Sequence, residues 1–227
     1  MRPPPFTSEQ FFDAIVRYHE RFFPIAPVLL AIGVGLIVLA YAAPRKSRLV
    51  TGGFAALWVW MAVAYHFAFF SAVTSMAWVF GAAFLIQAAL LAWHGLHTRR
   101  LHLAAPPDRA SRIVGGALAV YALIGYPLLG ALFGQRYPWM PTFGLPCPTT
   151  ILTFSLLVWC VRPVPWSLLV VPVTWSVLGT SAAASFGVVE DLGLPVAAVM
   201  AIAVLVWPRA RRPHATAPAG RPIQLGF

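Results

Sequence analysis

The sequence has little charge, few cysteines and a single lysine. Only 10% of its 227 residues are charged, against about 25% in ordinary soluble domains, and its 60% apolar content excludes a disordered chain. The two cysteines, Cys147 and Cys160, cannot build a disulfide framework and have no zinc-ligand spacing. Because Lys46 lies in a predicted loop, no retinal-type Schiff base can form inside a span.

Common catalytic signatures are also missing. The sequence has no Gly-x-Ser-x-Gly, no His-Glu-x-x-His and no phosphate-binding Gly-x-x-x-x-Gly-Lys motif. It has no paired Glu/His helices of the di-iron type. The sequence therefore indicates no catalytic residue, leaves the cofactor unknown, and favours a non-enzymatic class without deciding the question.

Long apolar runs fill most of the chain. A membrane span needs about 20 apolar residues, so residues 24–207 are predicted to form an all-α, polytopic helix bundle in a lipid bilayer. A cleavable signal peptide is not predicted, because the first apolar run follows an amphipathic segment with both charge signs. Seven apolar segments are predicted, at approximately 25–43, 50–70, 73–94, 112–133, 148–161, 166–186 and 190–207.

Residues 1–23 are predicted to hold an amphipathic helix. Thr7 and Gln10 have the spacing of a capping box with Thr7 as the N-cap. An apolar stripe follows one helical face, which predicts a helix lying in the membrane interface. A docking surface for a partner is the alternative. The stripe consists of Phe11, Ile15, Tyr18 and Phe22.

The net charge of +10 is divided unevenly between the predicted loops. Twelve of the 16 basic residues fall on one side, which carries close to +11, while the opposite side is close to −1. The positive-inside rule then places the N-terminus outside and the C-terminus inside. We predict the inner membrane of a bacterium, with a periplasmic N-terminus and a disordered cytoplasmic tail at 208–227. The charge thus reports orientation, and nucleic acid is not expected as a partner.

A break in the fifth apolar segment is the least ordinary feature. Pro146 and Pro148 forbid a helix through that point, and the remaining 14 or so residues span only about 21 Å. We predict that 141–147 enters the membrane as extended chain and that a half-helix starts at Pro148. The amides of Thr149 and Thr150 would then point into the outer half and hold an anion or polar group. Such a break is either a pocket, as in transporters, or a structural plug.

Other polar residues share this predicted depth. His66, Ser181, Glu190 and Asp191 join Cys147, Thr149 and Thr150 as pocket candidates. An ionisable group inside a membrane is a functional candidate, and His66 could exchange protons there. The alternative for His66 is a histidine that only packs in the bundle. The alternative for Glu190 and Asp191 is that they only stabilise the dipole at the start of a helix. Cys147 beside prolines is similar to the Cys-Pro motif of heavy-metal-pumping ATPases, which makes it a weak metal candidate; no metal site is predicted.

Several short motifs carry a resemblance. They include Glu9-Gln10-Phe11, Tyr65-His66, Tyr126-Pro127-Leu128, Thr142-Phe143-Gly144 followed by Pro146-Cys147-Pro148, Trp175-Ser176 and Glu190-Asp191. With these the chain resembles an uncharacterised family of bacterial polytopic membrane proteins, a domain of unknown function. The resemblance implies several membrane helices and no mechanism.

Three functions stay open at this point. The first is a small transporter or channel-like protein with an outward-facing polar pocket at 142–150. The second is a non-catalytic scaffold or accessory subunit, which would bind a second copy or another membrane protein through faces of small residues. The third is a membrane enzyme with Cys147 as nucleophile and His66 as base.

Overall fold

The computed structural model describes residues 6–103, 108–161 and 163–206. In these ranges the chain is helical and pairs elsewhere only through isolated bridges, which confirms the all-α prediction. The helices are α1 (Ser8–Arg21), α2 (Ile25–Ala42), α3 (Ser47–Trp60), α4 (Met76–Ala92), α5 (Arg109–Val120), α6 (Tyr126–Leu132), α7 (Pro146–Trp159), α8 (Ser167–Phe186) and α9 (Gly193–Val206). Turns of π-helix extend three of them, at Met61–Phe67, Trp93–His97 and Tyr121–Gly125.

Six helical segments of the described chain are long and apolar enough to cross a membrane. They correspond to six of the seven predicted apolar segments, and the remaining one, the fifth, contains the shorter helix α7. A count of seven crossings stays a prediction. The six are Ile25–Ala42, Ser47–Ala72, Met76–His97, Arg109–Leu132, Ser167–Phe186 and Val189–Val206.

The short helix α7 lies at the centre of the bundle. It packs against α5, α8 and α9, and every residue from Pro148 to Trp159 is buried. Its hydroxyl groups bond to neighbouring helices: Ser155 Oγ donates to the Gly115 carbonyl (2.7 Å), and Thr153 Oγ1 accepts from Trp58 Nε1 (3.0 Å). Interhelical hydrogen bonds of this kind hold apolar bundles together. Helix α7 is therefore surrounded by protein.

The start of α7 differs from the prediction by two residues. The helix begins at Pro146, with Leu145 as its N-cap, so Cys147 lies in the first helical turn instead of in extended chain. The first turn tolerates proline because its amides have no partner within the helix. The preceding segment turns at Gly144, where φ is +96°, and the Leu145 amide donates to the Thr142 carbonyl.

Helix α1 packs across one end of the bundle. The predicted capping box at Thr7 and Gln10 is present, and Ile15 and Tyr18 are buried. Trp60 Nε1 donates to the Tyr18 hydroxyl (2.8 Å). The apolar stripe thus packs against the chain's own helices, with Phe11 and Phe22 half-buried. A docking role for this helix stays a prediction. A location in the membrane interface stays a prediction.

His19 fastens α1 to the segment that precedes α7. Its Nδ1–H donates to the Pro138 carbonyl (2.7 Å), and Nε2 accepts from the Thr142 hydroxyl (2.9 Å). Burial lowers the pKa of His19, and the hydrogen bond to Pro138 partly opposes this shift. The neutral imidazole therefore satisfies both of its partners.

The opposite end of the bundle carries a basic cluster. Arg48 donates to the Leu96 carbonyl there, and Leu103 pairs with Cys160. The described basic residues at this end are Arg45, Lys46, Arg48, Arg99, Arg100, Arg109 and Arg112. Arg2, Arg162 and the predicted tail at 208–227 lie outside the described residues. The orientation across a membrane stays a prediction.

Candidate functional site

A cavity of about 230 Å³ opens at the end of the bundle that α1 covers. Its roof is aromatic: the rings of Phe11 and Phe186 stack at 5.0 Å, and Phe6 meets Phe186 at 5.2 Å and Phe70 at 5.4 Å. The roof therefore joins α1, and Phe6 two residues before it, to the ends of two apolar helical segments. The cavity lies where the predicted break in the fifth apolar segment enters the bundle.

Three polar side chains meet at the inner wall of the cavity. The Tyr126 hydroxyl donates to Asp191 Oδ1 (2.5 Å), and the Cys147 thiol lies against the Asp191 carboxylate and the Trp175 indole. Asp191 is 1% exposed. A 3-10 turn, Val189–Leu192, positions Asp191, and Tyr126 follows a π-helical turn of the kind often found at functional sites.

The carboxylate of Asp191 has no basic neighbour in the described ranges. No lysine, arginine or histidine is among the described residues that line the cavity. The one salt bridge found in the described part of the chain joins Arg17 to Asp13 on the exposed face of α1. Buried charges in proteins are normally paired, and Asp191 has no ion-pair partner among the described residues.

Glu190 is adjacent in sequence but lies outside the cavity. It is fully buried beside Gly130 and Gln135. Neither of its carboxylate oxygens accepts a hydrogen bond from a described residue. The predicted pair of acids is therefore divided, and only Asp191 lines the cavity.

His66 is buried behind the cavity wall and does not line it. Its ring is 0% exposed and is enclosed by aromatic rings, with centroid distances of 4.7 Å to Phe84 and 5.4 Å to Trp175. Both ring nitrogens lack a hydrogen-bond partner among the described residues. Trp175, which does line the cavity, contacts both His66 and Cys147. The Cys147–His66 pair required by the enzyme hypothesis makes no hydrogen bond in the described structure.

The threonines predicted to present amides do not reach the cavity. Thr149 Oγ1 accepts from the Gly144 amide (3.3 Å), and the Thr150 hydroxyl donates to the Pro146 carbonyl (2.7 Å). The Thr149 amide donates to the Leu145 carbonyl (3.4 Å). Pro146 and Pro148 have no N–H, so Cys147 supplies the single amide of the first three helical positions. The first turn of α7 therefore presents few amides, and a role for Thr149 and Thr150 in holding an anion stays a prediction.

The other candidates have simpler surroundings. Ser181 lines the cavity, and its hydroxyl donates to the Leu178 carbonyl (2.6 Å). No group of three or more histidine, cysteine or acidic side chains within the described ranges is arranged to hold a metal ion. Cys147 therefore has no set of co-ligands there.

Sequence reasoning missed Tyr126, Trp175 and the roof residue Phe6. Tyr126 and Trp175 both lie in the short motifs that carried the family resemblance, which was the one available signal. Nothing in the sequence connects Phe6 to Phe186, because their contact depends on where α1 packs.

Fold and site define an all-α protein of apolar helices, compatible with a membrane protein, that encloses a cavity with a buried acid. Residues 8–216 match the family model described as "Family of unknown function (DUF6064)", and the chain belongs to this family. The match confirms the resemblance to a domain of unknown function. Comparison with curated proteins and with solved structures gave no match.

Proposed function

We propose that the protein is a small membrane transporter or channel-like protein, and that its ligand enters the cavity beneath α1 from the outer face. One observation carries the proposal: the carboxylate of Asp191 lines a cavity at the end of the bundle and has no basic neighbour in the described chain. Ionisable groups at membrane depth cluster along substrate and ion pathways.

The site is built from several elements that meet at a helix break. Cys147 lies at the start of the 14-residue helix α7, Asp191 precedes α9, and Trp175 lies within α8. Discontinuous helices that meet near a charged group form the binding sites of many transporters. The cavity is less polar than predicted, because most of its wall is apolar surface, and eight of the described lining residues are aromatic.

The packing of the glycines gives less support to a scaffold. A side chain added to Gly33 would strike Phe143, one on Gly115 would strike Trp159, and one on Gly179 would strike Leu194. These small residues therefore serve contacts inside the chain. Gly35 and Gly116 have open space beside them, but two isolated glycines do not make a binding face.

Thiol labelling from outside tests the proposal. Cys147 is partly exposed and lines the cavity, whereas Cys160 is 1% exposed at the opposite end of the bundle. A membrane-impermeant methanethiosulfonate, added to intact cells, should label a Cys160→Ser variant and leave a Cys147→Ser variant unlabelled. If Cys147 reacts only after denaturation, no ligand path leads to the cavity and the proposal fails.

A further inference from the structure

We infer that the ligand is a small organic ammonium ion carrying one aromatic or similarly sized apolar group. This inference rests on the proposed function and names its substrate class. It starts from charge: Asp191 is almost fully buried, and the described cavity wall supplies no cation to pair with it. A buried carboxylate without a partner is strongly unfavourable, and a cationic ligand would supply the opposite charge that pairs with it.

The cavity wall favours the same ligand. Eight aromatic rings are among the described lining residues, and aromatic faces attract cations, most strongly where water is excluded. Tyr65 lies near Asp191, and Trp175 lies against Cys147, which contacts Asp191. The roof of Phe6, Phe11, Phe70 and Phe186 offers an apolar surface for the rest of the ligand. A sugar or a phosphate would instead need many hydrogen-bond donors.

The volume of the cavity narrows the class of ligand further. The cavity measures about 230 Å³. This lies between a cavity of about 150 Å³ that holds benzene and the lower bound of roughly 300 Å³ for pockets that hold drug-sized molecules. A phenyl ring with a short aminoalkyl chain fits this range. Its ammonium group, which like that of lysine is charged at neutral pH, would face Asp191.

The hydrogen bond from Tyr126 prepares the acid for this role. It holds Oδ1 of Asp191 from the side of α6, which fixes the orientation of the carboxylate before the ligand arrives. Preorganisation of this kind reduces the cost of binding.

Protection of Cys147 from the thiol reagent tests the inference. The Cys160→Ser protein is incubated with 2-phenylethylamine, 2-phenylethanol or phenylacetate, three probes of similar shape and different charge. We expect the amine to protect Cys147 at a concentration at least tenfold lower than the alcohol, and phenylacetate to protect least. Equal protection by amine and alcohol, or best protection by phenylacetate, overturns the inference while leaving an accessible cavity.

Variants of the two neighbouring acids test whether the preference for the amine over the alcohol depends on Asp191. Asp191→Asn should abolish the advantage of the amine over the alcohol, whereas Glu190→Gln, one residue away and outside the cavity, should retain it. If Asp191→Asn does not fold, the comparison of the three probes on the unaltered acid still decides the inference. Retention of amine selectivity in a folded Asp191→Asn protein overturns it.

Uptake separates this inference from the proposed function. Proteoliposomes containing the protein should take up radiolabelled 2-phenylethylamine. The Asp191→Asn variant should reduce the rate of this uptake at least tenfold. Absence of any Cys147 labelling from outside defeats the proposed function itself. A labelled, probe-protected Cys147 without amine uptake defeats transport and leaves the cation site in place.

Discussion

Gly144 sets the geometry of the segment that leads into α7, and Gly144→Ala should destabilise the protein. Its φ of +96° is one that residues with a side chain rarely adopt. A Cβ at this position would also strike Leu29 Cδ1 and come within 3.0 Å of Leu29 Cβ and 3.1 Å of Leu29 Cγ. Because the contacts include the base of the Leu29 side chain, a rotamer change cannot relieve them. The backbone must therefore move.

The expected cost has three parts. The left-handed conformation costs an L-residue about 1–2 kcal/mol, and overpacking costs about 1–3 kcal/mol. Alanine also restricts the unfolded chain more than glycine does, which offsets about 0.4–1 kcal/mol of the destabilisation. The sum is a loss of about 1–5 kcal/mol in the free energy of unfolding.

Gly134 provides a matched control. Its φ is also positive, at +89°, but nothing lies within 4 Å of an added Cβ. Gly134→Ala should therefore lose only the conformational part, so the two variants should differ by the overpacking term of about 1–3 kcal/mol. At about 2–4 °C per kcal/mol for a chain of this size, thermal unfolding in detergent should separate their Tm values by about 2–12 °C. Equal Tm values would refute the argument that Leu29 confines this turn.

Three further changes test the attachment of α1 and the packing of α5. Tyr18→Phe removes the acceptor of Trp60 Nε1 and should cost about 1–3 kcal/mol, seen as a lower Tm. Because burial lowers the pKa of His19, the folded state prefers neutral imidazole. The contribution of His19 to folding stability should be fully present above the unfolded-state pKa of about 6.5 and should decrease as the pH falls below that value. The measurement is Tm as a function of pH. Gly115→Ala would strike the Trp159 indole and should lower Tm by overpacking.

Each of these changes has a control in the same chain. Tyr41→Phe alters an exposed tyrosine and should leave Tm unchanged; an equal drop would contradict the role of the Tyr18 hydroxyl. His19→Gln should flatten the acid limb of the Tm profile, and a profile that keeps its slope would assign the titration elsewhere. Gly116→Ala meets open space and should raise Tm slightly through helix propensity; matching losses at both glycines would contradict the Trp159 contact.

Local chemistry made parts of the fold predictable. The capping box at Thr7 and Gln10 needs only residues three apart, so it could be derived from the sequence. The break at Pro146 and Pro148 was predictable for the same reason, since proline acts on its own turn. The start of α7 was misplaced by two residues because the first helical turn accepts proline at more than one position.

The site depended on contacts that no local pattern contains. The hydrogen bond between Tyr126 and Asp191 joins residues 65 positions apart. His66 was assigned the right end of its span, yet it lies behind Trp175 and not in the cavity. A hydropathy pattern gives position along the membrane normal, whereas lateral position depends on which helices pack together.

The sequence by itself determined an all-helical, apolar chain with a break before the seventh helix, because composition, helical period and proline geometry act locally. Only the tertiary structure decided that α7 is enclosed by its neighbours and that α1 roofs a cavity. It also separated Asp191, inside that cavity, from Glu190, outside it. These outcomes depend on side chains from distant helices competing for the same space, and neighbouring residues in one turn can point to different partners.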